Sequence, residues 1–232
     1  MAFKIIVLGS QAVGKTSMIR SYLGYEFKEI YLQTINLDSF RKYISPSEGK
    51  LKKENVNLNI IDVSGNESFI CMAKLMLRNA SGLILVYSKT DRKSFEDIEN
   101  IWIKSIEEYF ELNKIPMVLV ANKSDLPSEE EDVTKEEGKE LSIKYNIPFY
   151  ECSAKEKNNI DEVFNFLTKK IIDEYSEKNK DDKINTFKIE KKRQRKGRYI
   201  KNGCDPIFAF ANFGQAFADA MYENQRRKKC LI

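Results

Sequence analysis

Residues 9–16, Gly9-Ser10-Gln11-Ala12-Val13-Gly14-Lys15-Thr16, fit the spacing G-x-x-x-x-G-K-[ST], with Ser17 following. The run begins where an apolar segment, 3–8, ends and a helix-like segment, 14–23, starts. The chemistry dictates that spacing. A tight loop with glycines at its ends lets successive backbone N–H groups curl around phosphate oxygens. The helix N-terminus behind it adds the positive end of its dipole. Lys15 has the reach for β- and γ-phosphates, and the Thr16 hydroxyl is a hard oxygen suited to magnesium.

Three more polar runs each follow an apolar, strand-like segment: Ile61-Asp62-Val63-Ser64-Gly65, Asn122-Lys123-Ser124-Asp125 and Cys152-Ser153-Ala154-Lys155. Taken alone, Asp62 reads equally as a helix cap. The absence of histidine removes Ser/His/Asp and Cys/His catalysis and histidine metal sites. Cys71, Cys152, Cys204 and Cys230 are scattered, with no Cys-x-x-Cys spacing, so neither a zinc site nor a disulfide framework is indicated.

These runs need a scaffold. Strand-like segments are expected at 3–8, 39–44, 56–61, 83–87, 117–121 and 148–150. Ser45-Pro46-Ser47-Glu48-Gly49 is a turn cluster, so 39–44 and 56–61 read as an antiparallel hairpin. Amphipathic, helix-like stretches fall near 67–79, 92–112, 134–145 and 159–175. Alternation of strand and helix predicts an α/β fold. It should contain a six-stranded, mostly parallel sheet with one antiparallel hairpin strand and about five helices on both faces. Ligands of such sheets bind beyond the carboxyl ends of the strands, where every polar run above falls.

With these motifs in this order, residues 3–175 resemble the Ras superfamily of small GTPases. The resemblance implies a P-loop GTPase fold over 1–175 that binds GTP or GDP with magnesium. It implies phosphate and nucleotide contacts from Gly9, Gln11, Ala12, Val13, Gly14, Lys15, Thr16, Ser17 and the Gly65 N–H. Tyr31-Leu32-Gln33-Thr34-Ile35 resembles the first switch, whose threonine, here Thr34, joins Thr16 and Asp62 around magnesium. Phe27 sits where the family places an aromatic against the guanine edge, or is a core phenylalanine. In N-K-x-D, Asp125 would accept from guanine's ring N–H and amino group, Asn122 would brace loops, and the Lys123 stem would cover the base. Ser153, Ala154 and Lys155 match S-A-K, whose backbone reads the guanine oxygen. Lys15, Thr34, Gly65 and Asn66 would be the catalytic set.

The stretch 67–87, with Ser94-Phe95-Glu96 and Trp102-Ile103, is similar to Rab proteins, and Thr34-Ile35-Asn36-Leu37-Asp38 resembles their T-I-G-V-D. The implied role is a GTP-hydrolysing switch in vesicle traffic, served by effectors, an exchange factor and an activating protein. Four departures qualify it. Asn66 stands where a glutamine usually positions the attacking water. Gln11 occupies a P-loop position often filled by a small residue, where it crowds an incoming arginine finger. Three aromatic effector positions read Ser39, Ile61 and Met76. The span from Asp38 to Asp62 is about five residues longer than usual, and Asn36 replaces a glycine. The first two departures predict slow hydrolysis. The alternatives are a non-hydrolysing GTP-bound scaffold and a Ras- or Rho-like signalling GTPase.

The tail has a different character. Residues 176–232 carry 15 basic and 7 acidic residues, net +8, whereas 1–175 are net −4. A basic tail on an acidic body points to a membrane surface, a nucleic acid or an acidic partner, or is a solvated linker. Residues 176–200 read as a basic hypervariable linker, whose block at 191–198 is alternatively a nuclear address. Residues 201–232 read as an amphipathic helix begun by Asp205-Pro206, with Ile207, Phe210, Phe213, Phe217 and Met221 at helical spacing. That stripe lies in a membrane interface or packs on protein. Cys230, beside Arg226–Lys229, is one residue short of C-a-a-X and is either lipidated or a free thiol. The start lacks a signal-peptide apolar stretch, and no window reaches the ~20 apolar residues of a membrane span. The expectation is a cytoplasmic monomer that cycles onto an intracellular membrane and binds no nucleic acid.

Overall fold

The longest apolar runs form the middle of a sheet, because a strand covered on both faces has no polar side. In the computed structural model, which describes residues 1–29, 34, 37–45, 55–65, 70–130 and 132–177, β1 is Ala2–Leu8, β4 Gly82–Ser88 and β5 Met117–Asn122. Every residue of β4 and β5 is buried. β2, Leu37–Ile44, alternates exposed and half-buried residues, as an edge strand does. It pairs antiparallel with β3, Val56–Val63, in the register Ser39 opposite Ile61. β6, Phe149–Glu151, closes the other edge.

The sheet order is β2-β3-β1-β4-β5-β6, with only the β2–β3 pair antiparallel. Five longer helices accompany it among the described residues, besides 3-10 turns at Leu112–Lys114 and Ser128–Glu130. They are α1, Lys15–Tyr22; α2, Ile70–Leu77; α3; α4, Lys135–Tyr145; and α5, 160–177. α3 begins as Arg92–Asp97, passes through π-helical turns at Ile98–Ile103 and ends as Lys104–Glu107. The amphipathic pattern predicts a helix to 112. The structure ends it at Glu107, where the last turn tightens as the Tyr109 N–H donates to the Ile106 carbonyl three residues back. The turn cluster at 46–49, Asn66 and everything from 178 onward, including the 205–222 stripe and Cys230, lie outside the described residues.

Period-two alternation sorts the strands' side chains into two cores. Ile5 and Val7 face α1 and α5, packing with Met18, Ile19 and Phe164. Ile6 and Leu8 face α2, α3 and α4, packing with Leu77, Trp102 and Leu141. The chain leaves β1 toward β3 on one side and returns to β4 on the other. The crevice at that reversal, beyond the carboxyl ends of β1 and β4, is where this topology places ligands.

Candidate functional site

The loop between β1 and α1 occupies that crevice. Gly9, at φ +150°, passes so close to β4 that a Cβ would stand 2.1 Å from the Val86 carbonyl oxygen. Gly14, at φ +94°, is the N-cap of α1, and a Cβ there would meet Asn122 Nδ2 at 2.2 Å. No side chain caps α1 and no acidic residue sits in its first turn, so its first N–H groups are left for an anion. Lys15 is buried and bent over its own loop, donating from Nζ to the carbonyls of Gly9 at 2.8 Å and Ser10 at 2.7 Å. A small loop signal missing from the sequence reading is Ser10 Oγ, which donates to Asp97 Oδ2 of α3 at 2.7 Å.

The end of β3 adds the next group. Thr16 Oγ1 donates to Asp62 Oδ2 at 2.5 Å and lies 3.0 Å from Thr34 Oγ1. Asp62 is fully buried, and its Oδ1 has no hydrogen-bond partner among the described residues. Burial pushes its carboxyl up, against the Thr16 hydrogen bond and the Lys15 charge. Two hydroxyls and one carboxylate with a spare buried oxygen are a hard donor set, which fits magnesium. Gly65 leads β3's end against the P-loop. A Cβ on it would come within 2.4 Å of the Ser10 carbonyl and 2.5 Å of the Gln11 nitrogen.

The ends of β5 and β6 supply the opposite wall. Asn122 Nδ2 donates to the Val13 carbonyl at 2.8 Å, and its Oδ1 accepts from the Ala154 N–H at 3.2 Å. One buried side chain thus joins three loops. Ser153 Oγ donates to Asp125 Oδ1 at 2.6 Å and fixes that carboxylate's orientation. Lys123 takes a left-handed conformation, φ +67°, at the turn out of β5.

One cavity of about 540 Å³ connects these parts. Gln11, Ala12, Gly14, Lys15, Thr16, Ser17, Phe27, Thr34, Gly65, Asn122, Lys123, Asp125, Ala154 and Lys155 line it. Phe27 is 38% exposed there and is not a core residue. Gly9, Val13, Asp62 and Ser153 stand behind the lining. Arg20, Glu26, Lys28, Glu29, Ser64 and Leu126 also line the cavity and were not anticipated. Their only sequence signal was nearness to a motif. Of the effector positions, Ile61 is buried, Met76 is half-buried and Ser39 Oγ donates to Asn59 Oδ1 at 2.6 Å.

Burial pushes the Lys15 ammonium down to about 8, with the Asp62 charge opposing it. In the empty protein this costs stability at low pH, and the cost is recovered as pH rises from about 8 toward the ordinary 10.5. A bound polyphosphate needs Lys15 charged. Above the range in which the nucleotide's terminal phosphate itself titrates, affinity should therefore be flat to about pH 8 and fall by up to about tenfold per unit beyond it, as read by titration across pH. A flat profile to pH 10 would mean that the Lys15 ammonium is not depressed in the empty protein or does not meet the phosphates.

Among the described residues, no helix is long and apolar enough to cross a membrane. A family model described as Ras family matches residues 4–173. Ras-related protein Rab-13 from Mesocricetus auratus is 37% identical over 170 residues, 73% of this chain and 80% of that protein. Rab-13 from Bos taurus matches over the same shares at 37%. Ras-related protein SEC4 from Candida albicans is 32% identical over 179 residues, 77% and 81% of the two chains. These relatives favour the Rab-like reading over the Ras- or Rho-like one. The chain belongs to the Ras family, as a Rab-like small GTPase, a GTP-binding switch in vesicle traffic.

Proposed function

We propose that the cavity holds GTP or GDP with magnesium, and that loss of the γ-phosphate releases the segments around Thr34 and Gly65. The observation that carries this reading is one cavity with an uncapped helix N-terminus and buried lysine at one end and the Ser153-held Asp125 carboxylate at the other. A phosphate chain and a base need those two ends at once. The N–H groups of the Gly9–Thr16 loop and of Ser17 receive the phosphates, and Lys15 leaves its loop carbonyls for their oxygens. Thr16, Thr34 and Asp62 hold magnesium, which when bound offsets charge on the phosphates. Asp125 accepts from guanine's N–H groups. Adenine would leave that carboxylate unpaired. Phe27 and the Lys123 stem flank the base, and the backbone of Ser153, Ala154 and Lys155 meets its oxygen.

Hydrolysis needs no strong base. Water attacks the γ-phosphorus, the bond to the β-phosphate oxygen breaks, and Lys15 stabilises the charge that develops. The Gly65 N–H orients the γ-phosphate, and Asn66 is one methylene shorter than the glutamine that positions the water in the family. With Gln11 lining the cavity, hydrolysis is slow. Single-turnover hydrolysis of preloaded GTP should be about tenfold faster in Asn66→Gln than in wild type, a barrier change of about 1.4 kcal/mol. If neither protein turns over while GTP stays bound, the scaffold reading, which Gln11 favours, replaces this one. If GTP cannot be loaded, the nucleotide assignment fails.

The protein works as a monomer with effectors, an exchange factor and an activating protein. Residues 176–200 act as a linker, and the 201–232 stripe and basic cluster bring the GTPase domain to an anionic intracellular membrane.

A further inference from the structure

Lys89 follows β4 at its carboxyl end and is only 6% exposed, yet it does not line the cavity. Its Nζ donates to Glu151 Oε1 at 3.0 Å, while Glu151 Oε2 pairs with Lys135 of α4. Burying a lysine is costly unless it is paired and held, so the position needs a reason. The side chain's partner, Glu151, and the main chain around residue 89 both lead to the two base-side loops. The Lys89 N–H donates to the Asn122 carbonyl at 3.1 Å, and its own carbonyl accepts from Asp132 at 2.9 Å and Val133 at 3.0 Å. One residue therefore holds both the start of the Asn122–Asp125 loop and the segment that leads into α4. Glu151 immediately precedes Cys152, whose carbonyl accepts from the Ser124 N–H at 3.0 Å. Next along is Ser153, which holds Asp125.

We infer that Lys89 is a positioning residue for guanine discrimination: through Glu151 it sets the spacing between the Asn122–Asp125 loop and the Ser153–Lys155 loop. The inference rests on the reading of Asp125 as the guanine acceptor. Asp125 must meet a ring N–H and an amino group together, and a misplacement of about 1 Å at such a contact can cost on the order of 100-fold. The loop tips lie beyond the last β5–β6 ladder pair, Ala121 with Glu151. Beyond that pair the loops are joined directly, Ser124 N–H to the Cys152 carbonyl, Ala154 N–H to Asn122 and Ser153 to Asp125, and the Lys89–Glu151 pair fixes the end of β6 from which the second loop leaves.

The test uses the full chain, with Lys89→Met and Lys89→Arg beside wild type. Affinities for GDP and for inosine diphosphate, which lacks the 2-amino group, are measured together with melting temperature. Lys89→Met keeps the stem, and Lys135 still pairs with Glu151. It should narrow the GDP-to-inosine preference by roughly tenfold, while Lys89→Arg keeps most of it. A wild-type preference in Lys89→Met, however low its melting temperature, would make Lys89 a purely structural residue and overturn the inference. So would an arginine variant as poor as the methionine one. If Lys89→Met gives no soluble protein, Glu151→Gln decides: a narrowed preference supports the inference and an unchanged one overturns it. A wild type that binds both nucleotides equally overturns the guanine reading itself, and this inference with it.

Discussion

Asp125→Asn should weaken GTP by roughly 10²–10⁴-fold and raise the affinity for xanthosine triphosphate. The carboxylate offers two acceptors, and Ser153 holds one of its oxygens by a 2.6 Å bond, which fixes how the group faces the cavity. Guanine presents two donors on that edge. An asparagine presents one acceptor and one donor, so one guanine N–H then faces an N–H. Two charge-assisted hydrogen bonds at about 1.5–3 kcal/mol each give that range. Xanthine carries an oxygen where guanine has its amino group and matches the amide. Competition of labelled GDP with both triphosphates reads the exchange of preference. Unchanged GTP binding in a folded Asp125→Asn protein would mean that Asp125 does not read the base.

Gly65→Ala should separate GTP from GDP. The added Cβ would stand 2.4 Å from the Ser10 carbonyl group and 2.5 Å from the Gln11 nitrogen, all of them main-chain atoms. No rotamer relieves such a contact, so either the P-loop or the segment after β3 must shift. The N–H of residue 65 then loses its place at the third phosphate, while the first two phosphates keep their contacts with the loop and α1. The loss of one charge-assisted hydrogen bond predicts a GTP affinity lower by about 10–100-fold relative to GDP. Paired titrations with GDP and a non-hydrolysable GTP analogue measure it. If both nucleotides weaken equally, Gly65 is a glycine of packing alone and takes no part in sensing the γ-phosphate.

Both predictions start from motifs that were legible before any coordinates. The Gly9–Thr16 loop, the Asp62–Gly65 run, Asn122–Asp125 and Ser153–Lys155 are local units. Each is a strand end and a turn whose residue types follow from backbone geometry within a few positions. The strands were legible for a similar reason: buried on both faces, β4 and β5 can only be continuous apolar runs. The hairpin pairing of β2 with β3 followed from strand-like segments on either side of a turn signal.

What the tertiary structure alone decided lies between those units. Phe27 read equally as core or cavity wall, because an aromatic carries no mark of what will cover it. Its exposure in the cavity chose between them. Asp62 read equally as a cap, until Thr16, 46 residues away, met its side chain. Ser10 falls at a free position of the G-x-x-x-x-G-K-[ST] spacing and is tied to Asp97, 87 residues on. Lys89, just past the strand-like segment 83–87, is paired with Glu151, 62 residues away. Periodicity and motif spacing report only on neighbours along the chain. Pairings over such separations are created when the sheet sets its strands in the order β2-β3-β1-β4-β5-β6. The sequence by itself determined which chemistry this protein carries, because each motif needs only its own strand and turn. The assembled sheet decided which distant side chains hold that chemistry in place, because burial and pairing belong to the packed chain and not to any one segment.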